Sequence, residues 1–222
     1  MSSSRLNRWV TDEWAQRYLR DRDAIPYRKQ GYEVLMEVLD GRVVRRVLDL
    51  GTGDGLTLGL VLGMFPEATG VAVDFNSEML RHARARFAAE PAGRVEVVEH
   101  NLDERLPELG EFDAVVSAFA IHHCTPERQR ALYGEVYERL RPGAVLCNLE
   151  HVDSPTPELH RAFLAAVGIK PEDDDPSNQL VGPDTQLAWL RAIGFEQVQC
   201  VWKWRELALL SGVRAEALRR IT

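Results

Sequence analysis

Three glycines within five residues, directly after an apolar run, constrain this chain more than any other feature. Val47, Leu48 and Leu50 make the kind of run expected of a parallel strand covered on both faces, and Gly51, Gly53 and Gly55 follow it. Glycine lets the backbone turn tightly and lets a ligand approach main-chain N–H groups. Leu56 to Phe65 then reads as a helix whose first turn points unpaired N–H groups back at the loop. Asp49 places a carboxyl inside the strand, two residues before the first glycine.

The spacing separates two kinds of cofactor. A dinucleotide fingerprint is G-x-G-x-x-G, its third glycine packing helix on strand, whereas here the pattern is G-x-G-x-G followed by Leu56. Strand, loop and helix make the ligand end of a Rossmann-like half. The run Asp49-Leu50-Gly51-Thr52-Gly53-Asp54-Gly55 resembles the first motif of class I S-adenosylmethionine-dependent methyltransferases. That resemblance implies that Gly51, Thr52 and Gly53 pass under the methionine part of the cofactor and that Asp49 reaches its amino group. It also implies a mostly parallel, doubly wound seven-stranded α/β sheet with an antiparallel last strand.

Three further motifs follow in the order of that family. Gly70 to Asn76 reads as a second strand ending in Asp74, 19 residues past Gly55. An acid at about that distance can take both ribose hydroxyls in either cofactor family. A helix follows with Ser77 as its expected cap, and V-D-x-N-x-x-M-L resembles the second methyltransferase motif, with Phe75 and Met79 beside the adenine. Met79 is equally readable as core. Val95 to Asp103 holds a third strand and its exit. The family commonly has Asp where this chain has Asn101, whose side-chain oxygen still accepts; the backbone of Leu102 would lie nearby, with Asp103 as a substitute. Phe112 to His123 is a fourth strand and its loop, with Ser117, Ala118 and Phe119 expected against the cofactor. Thr125-Pro126-Glu127 caps a helix to Leu140, and Leu140-Arg141-Pro142-Gly143-Ala144 resembles the family's turn into a fifth strand, Ala144 to Leu149. The resemblance covers roughly residues 45–150.

Methyl transfer from a sulfonium needs alignment and, for some acceptors, removal of a proton. Open α/β sheets bind ligands at the carboxyl ends of their strands. His122, His123, Glu150 and His151 fall there and are the candidate catalytic groups. The bland readings are that one histidine orients its loop and that Glu150 and His151 form a structural charge pair. If His122 and His123 are extended, their side chains point to opposite sides and only one meets the acceptor, His122 being slightly favoured. Adjacent histidines do not easily share one ion, so no metal site is expected.

Two segments flank this half. Residues 5–39 read as two helices broken at Pro26, and residues 5–30 carry seven basic against four acidic side chains. They form either a solvated cap or a lid in which Trp14, Tyr18, Tyr27 and Arg28 face inwards. Arg28 is also the one nearby cation for a cofactor bearing an extra carboxylate. After residue 150 come a helix over 159–167, an acidic loop over 170–176, a helix over 184–193, and strands over 195–204 and 206–210. The acidic loop lacks the order of an EF-hand and reads as solvated, or as part of a substrate lid. The expected organisation is thus one domain over 1–222: cap or lid over 1–42, cofactor half over 43–150, substrate side over 151–222.

Composition narrows the partners. The chain has 222 residues, 45% hydrophobic, with a formal charge of −7, enough for one well-buried domain. An acidic protein is a poor default binder of nucleic acid or membrane surfaces. Cys124, Cys147 and Cys200 show no metal or redox spacing and read as free thiols of a reducing, cytoplasmic compartment. No leader or membrane span is expected from the sequence. A small-molecule acceptor and a monomer or homodimer are expected. Open alternatives are a non-catalytic cofactor-binding pseudo-enzyme, a relative using a modified sulfonium, and an NAD-linked oxidoreductase, against which the missing third glycine argues.

Overall fold

The protein is described by a computed structural model over residues 11–21 and 24–216. Arg5, Arg8, Arg22, Asp23 and the side chain of Tyr18 lie outside the described residues. Seven strands form one sheet: β1 (Arg46–Leu50), β2 (Thr69–Asp74), β3 (Val95–Glu99), β4 (Phe112–Ala118), β5 (Leu140–His151), β6 (Phe195–Trp204) and β7 (Leu207–Arg214). Their order is β3-β2-β1-β4-β5-β7-β6. Pairing is parallel from β3 through β5, and β7 runs antiparallel to both its neighbours. The order reverses between β1 and β4, the crevice where such sheets hold ligands.

Period-two alternation assigns the two faces of the sheet. From β1, Val47 joins one core with Leu35 and Leu39 of α2 (Arg28–Leu39) and with Leu58, Val61 and Leu62 of α3 (Leu56–Met64). Leu48 and Leu50 point the other way, into a core with Leu132, Tyr133 and Val136 of α5 (Pro126–Arg139) and Leu190 of α7 (Pro183–Ile193). Both faces are therefore covered, which is why the parallel strands read as near-continuous apolar runs.

The remaining helices are α1 (Asp12–Asp21), α4 (Ser77–Arg86) and α6 (Pro157–Ala166). Several expected boundaries move for local reasons. The cap of α4 is Asn76, whose side chain accepts from Met79 N at 2.9 Å, so Ser77 is already helical. Thr125 caps α5 by accepting from Arg128 N, with proline in the first turn, and Thr156 does the same for α6. Strand β5 begins at Leu140, because Leu140 pairs with Phe112 before Arg141-Pro142-Gly143 bulges and the register resumes at Val145. Strand β7 continues to Arg214 because both β5 and β6 pair with it along its length.

Candidate active site

Two adjoining cavities open at the carboxyl ends of the strands. The smaller, of ≈ 80 Å³, is lined by Gly51, Gly53, Asp74, Phe75, Met79, Asn101, Leu102, Ala118 and Phe119, among others. The larger, of ≈ 410 Å³, is lined by Trp14, Arg28, His122, His151 and Phe163 with residues of the acidic loop. Phe119 and His123 line both. The wall they share is therefore where a group held in one cavity would meet a molecule held in the other.

In the smaller cavity the carboxyl of Asp74 fixes its own surroundings. Its Oδ2 accepts from Gly53 N at 2.8 Å and its Oδ1 from Asn76 N at 2.9 Å. This ties the glycine loop to the end of β2. Gly51 and Gly53 have φ of 65° and 56°, in the left-handed region that glycine tolerates. A Cβ on Gly53 would meet only Met79 Sδ, at 3.9 Å, and would otherwise fill the cavity itself.

Asp49 lies fully buried behind that loop, where Oδ2 accepts from Thr52 Oγ1 at 2.7 Å and from Leu58 N at 3.2 Å. Its Oδ1 is buried with no hydrogen-bond partner, and burial pushes the carboxyl up to about 7. A buried acceptor without a donor is costly and is the feature a ligand ammonium would satisfy. The open glycine cradle and Asp74 line the smaller cavity, and the orphaned acceptor of Asp49 lies behind that loop rather than in the lining; these groups are compatible with the cofactor implied by the motifs.

Of the other expected cofactor residues, Ser117, Thr52 and Arg28 stand apart from the smaller cavity. Ser117 is fully buried with Oγ bonded to Leu50 O at 2.8 Å, cross-linking β4 to β1. Thr52 serves Asp49. Asn101 lines the cavity, and its Oδ1 accepts from Asp103 N at 3.0 Å. Arg28 is buried with Cζ 4.4 Å from the Phe119 ring, on the side of the larger cavity. Tyr27, expected to face inwards, is half exposed and stacks on Trp204 at 4.7 Å, while Trp14 and Arg28 line the larger cavity.

The histidines depart from the extended geometry. Ile121–His123 is one turn of 3-10 helix, so the rings of His122 and His123 lie side by side, 4.0 Å between centroids, and both line the larger cavity. Glu150, 1% exposed, accepts from His122 N at 3.1 Å and from His151 N at 2.9 Å. Its Oε1 lies 2.5 Å from His122 Nδ1. Glu150 therefore fixes the ring and backbone of His122 and leaves Nε2 for the cavity. Burial pushes Glu150 up to about 7 and holds His122 well below the ordinary imidazole value, with the charge of His151 adding to the latter. Burial also lowers His123, whose Nδ1 lies 3.2 Å from Ser177 Oγ, which in turn donates to Asp175 Oδ1 at 2.8 Å. The acidic loop thus reaches the cavity floor.

Glu206, Ser154 and His160 were not legible as site residues. Glu206 is a charged side chain in the turn directly before an apolar strand, and that is the signal that could have marked it. It lies 1% exposed under His151. Among the described residues no cluster of three or more histidine, cysteine or acidic groups has metal-holding geometry, and no helix is long and apolar enough to cross a membrane.

Comparison with known proteins agrees with the geometry. Residues 47–143 match the methyltransferase domain family. An uncharacterized methyltransferase of Mycobacterium tuberculosis is 34% identical over 60% of this chain and 62% of its own length. The ubiquinone/menaquinone biosynthesis C-methyltransferase of Dinoroseobacter shibae is 30% identical over 75% of this chain and 72% of its own length. An O-methyltransferase family protein from Burkholderia thailandensis superposes with a TM-score of 0.73 at 25% identity, over 95% of this chain and 62% of that one. The chain thus spans under two thirds of the mycobacterial and Burkholderia proteins. Motif order, sheet topology and these likenesses agree: the chain belongs to the class I S-adenosylmethionine-dependent methyltransferases.

Proposed function

We propose that this protein transfers a methyl group from S-adenosylmethionine to a hydroxyl of a small-molecule acceptor, with His122 as general base. The observation that carries this reading is the buried Glu150–His122 pair facing the larger cavity, one residue before His123 in the shared wall. When bound, the cofactor supplies a methyl carbon already activated by its sulfonium. The chain's own work is placement and proton removal. Asp74 and the glycine loop hold the donor end, and Phe119 and His123 form the boundary between the two cavities. Trp14, Phe119 and Phe163 give the acceptor cavity apolar walls suited to a ring. With Nδ1 held by Glu150, His122 takes the acceptor proton at Nε2. Such help is worth about 10²–10⁴ in rate. The O-methyltransferase family protein among the similar structures supports oxygen as the methylated atom, and the C-methyltransferase of Dinoroseobacter shibae makes carbon the second reading.

The test is release of S-adenosylhomocysteine across a panel of hydroxylated ring acceptors. His122→Ala should lower kcat at least tenfold with S-adenosylhomocysteine affinity kept. Full turnover in that variant would leave a site that works by proximity alone.

A further inference from the structure

Glu206 belongs to none of the motifs, yet its carboxylate gathers three donors from three segments. Oε1 accepts from Ser154 Oγ and from His160 Nδ1 of α6 at 3.0 Å, and Oε2 accepts from His151 Nε2 at 2.9 Å, at the end of β5. His160 Nε2 lies 3.2 Å from Asp174 Oδ2 of the acidic loop. Burial would push Glu206 up, but the bonds from His151, Ser154 and His160 hold it below the ordinary carboxylate range. It therefore accepts, and His151 Nε2 carries the proton. This fixes the tautomer of His151 and leaves Nδ1 as its nitrogen for a ligand.

The same arrangement already stands beside it. His122 has Nδ1 committed to buried Glu150, and His151 has Nε2 committed to buried Glu206. Both rings line the larger cavity, 5.5 Å between centroids and near perpendicular. Burying a carboxylate is expensive unless it is well bonded, and one such pair is enough for a single proton. Two imidazoles this close, each reaching about 2.8 Å to an oxygen, can hold two neighbouring oxygens of one acceptor. Phe163, with its ring 5.2 Å from that of His151, supplies an apolar surface beside them.

We propose that Glu206 is a positioning residue that makes His151 a second acceptor-binding imidazole, so that the site takes ring compounds with oxygens on adjacent carbons. This rests on the methyl-transfer reading above. One hydroxyl gives its proton to His122 Nε2 as its oxygen forms the new bond to the methyl carbon. The carbon–sulfur bond breaks and its electron pair stays on sulfur, leaving a neutral thioether. The adjacent hydroxyl donates to His151 Nδ1 and sets which oxygen faces the methyl group.

The experiment compares catechol with phenol as acceptors, in the full chain, for wild type, Glu206→Gln and His151→Ala. Wild type should favour catechol at least tenfold in kcat/KM, mainly through KM. Both variants should bring that ratio close to one, whereas a purely structural role would lower both acceptors alike and keep it. His151→Ala carries the test should Glu206→Gln not fold. Equal use of the two rings by wild type, or a ratio that His151→Ala leaves intact, would overturn the proposal. Methylation of neither ring, with other acceptors still releasing S-adenosylhomocysteine, overturns it but keeps the methyl-transfer reading. No release with any acceptor and no S-adenosylhomocysteine binding by calorimetry would overturn both.

Discussion

At the scale of the residue, two buried carboxyls set the behaviour of the site, and both are pushed up to about 7 by burial. For Asp49 the consequence is a stability that depends on pH. A carboxyl raised in the folded state contributes stability that is complete below its unfolded pKa and is lost as pH rises through the folded value. Asp49→Asn should therefore gain stability relative to wild type between about pH 4 and 7, at about 1.4 kcal/mol per unit of removed shift. Paired urea titrations at pH 4.5 and 8 check this. The same substitution should weaken S-adenosylmethionine binding by about 1.5–3 kcal/mol, read by calorimetry at pH 8. For Glu150 the consequence, on the proposed reading of His122 as base, is catalytic. Only the ionised carboxylate accepts from His122 Nδ1–H and leaves Nε2 with a lone pair. The rate should rise with pH through about 7 and level above it, with Glu150→Gln displacing that limb. A flat profile from pH 6 to 8 in wild type would remove His122 as the base.

At the scale of the element, what was legible was what local chemistry decides. The apolar run Val47 to Leu50, the Gly51 loop and the strand-ending Asp74 all come from neighbours in sequence, and the structure buries the run in the sheet and puts the loop glycines and Asp74 at one crevice. Thr125 with Pro126 marked the start of α5 in the same way. Thr125→Ala should cost about 1 kcal/mol through the lost cap, seen as a lower unfolding midpoint with activity kept. The rest depended on distant segments. His122 and His123 lie side by side because a 3-10 turn follows β4 after Phe119 and Ala120, and no periodicity marks a three-residue helix. Glu206 lies 56 positions from Glu150, and only the antiparallel β5–β7 pairing, which sets Glu150 opposite Ala208, brings it beneath His151. Ser117 matched a family position, but its hydroxyl is taken up by Leu50 O across the sheet.

At the scale of the whole molecule, strand order accounts for the arrangement of two cavities around one wall. The reversal between β1 and β4 opens the crevice for the smaller cavity. The exits of β4 and β5, with α1, α6 and the acidic loop, surround the larger one. Trp14 of α1 and Arg28 of α2 lie on that larger side, so the lid role proposed for the segment before β1 concerns the acceptor more than the donor. Removing residues 1–24 should raise the acceptor KM several-fold and leave S-adenosylhomocysteine affinity within about twofold. Loss of S-adenosylhomocysteine binding in a folded variant would instead place the segment over the cofactor.

The central claim, that donor and acceptor meet at the wall formed by Phe119 and His123, is tested most directly by a crystal structure with S-adenosylhomocysteine. The account predicts the ribose hydroxyls on Asp74, the amino group on the unpaired Oδ1 of Asp49, and the sulfur at Phe119 facing the cavity of His122 and His151. A ligand whose sulfur faces away from that cavity, or which leaves Asp74 untouched, would contradict it.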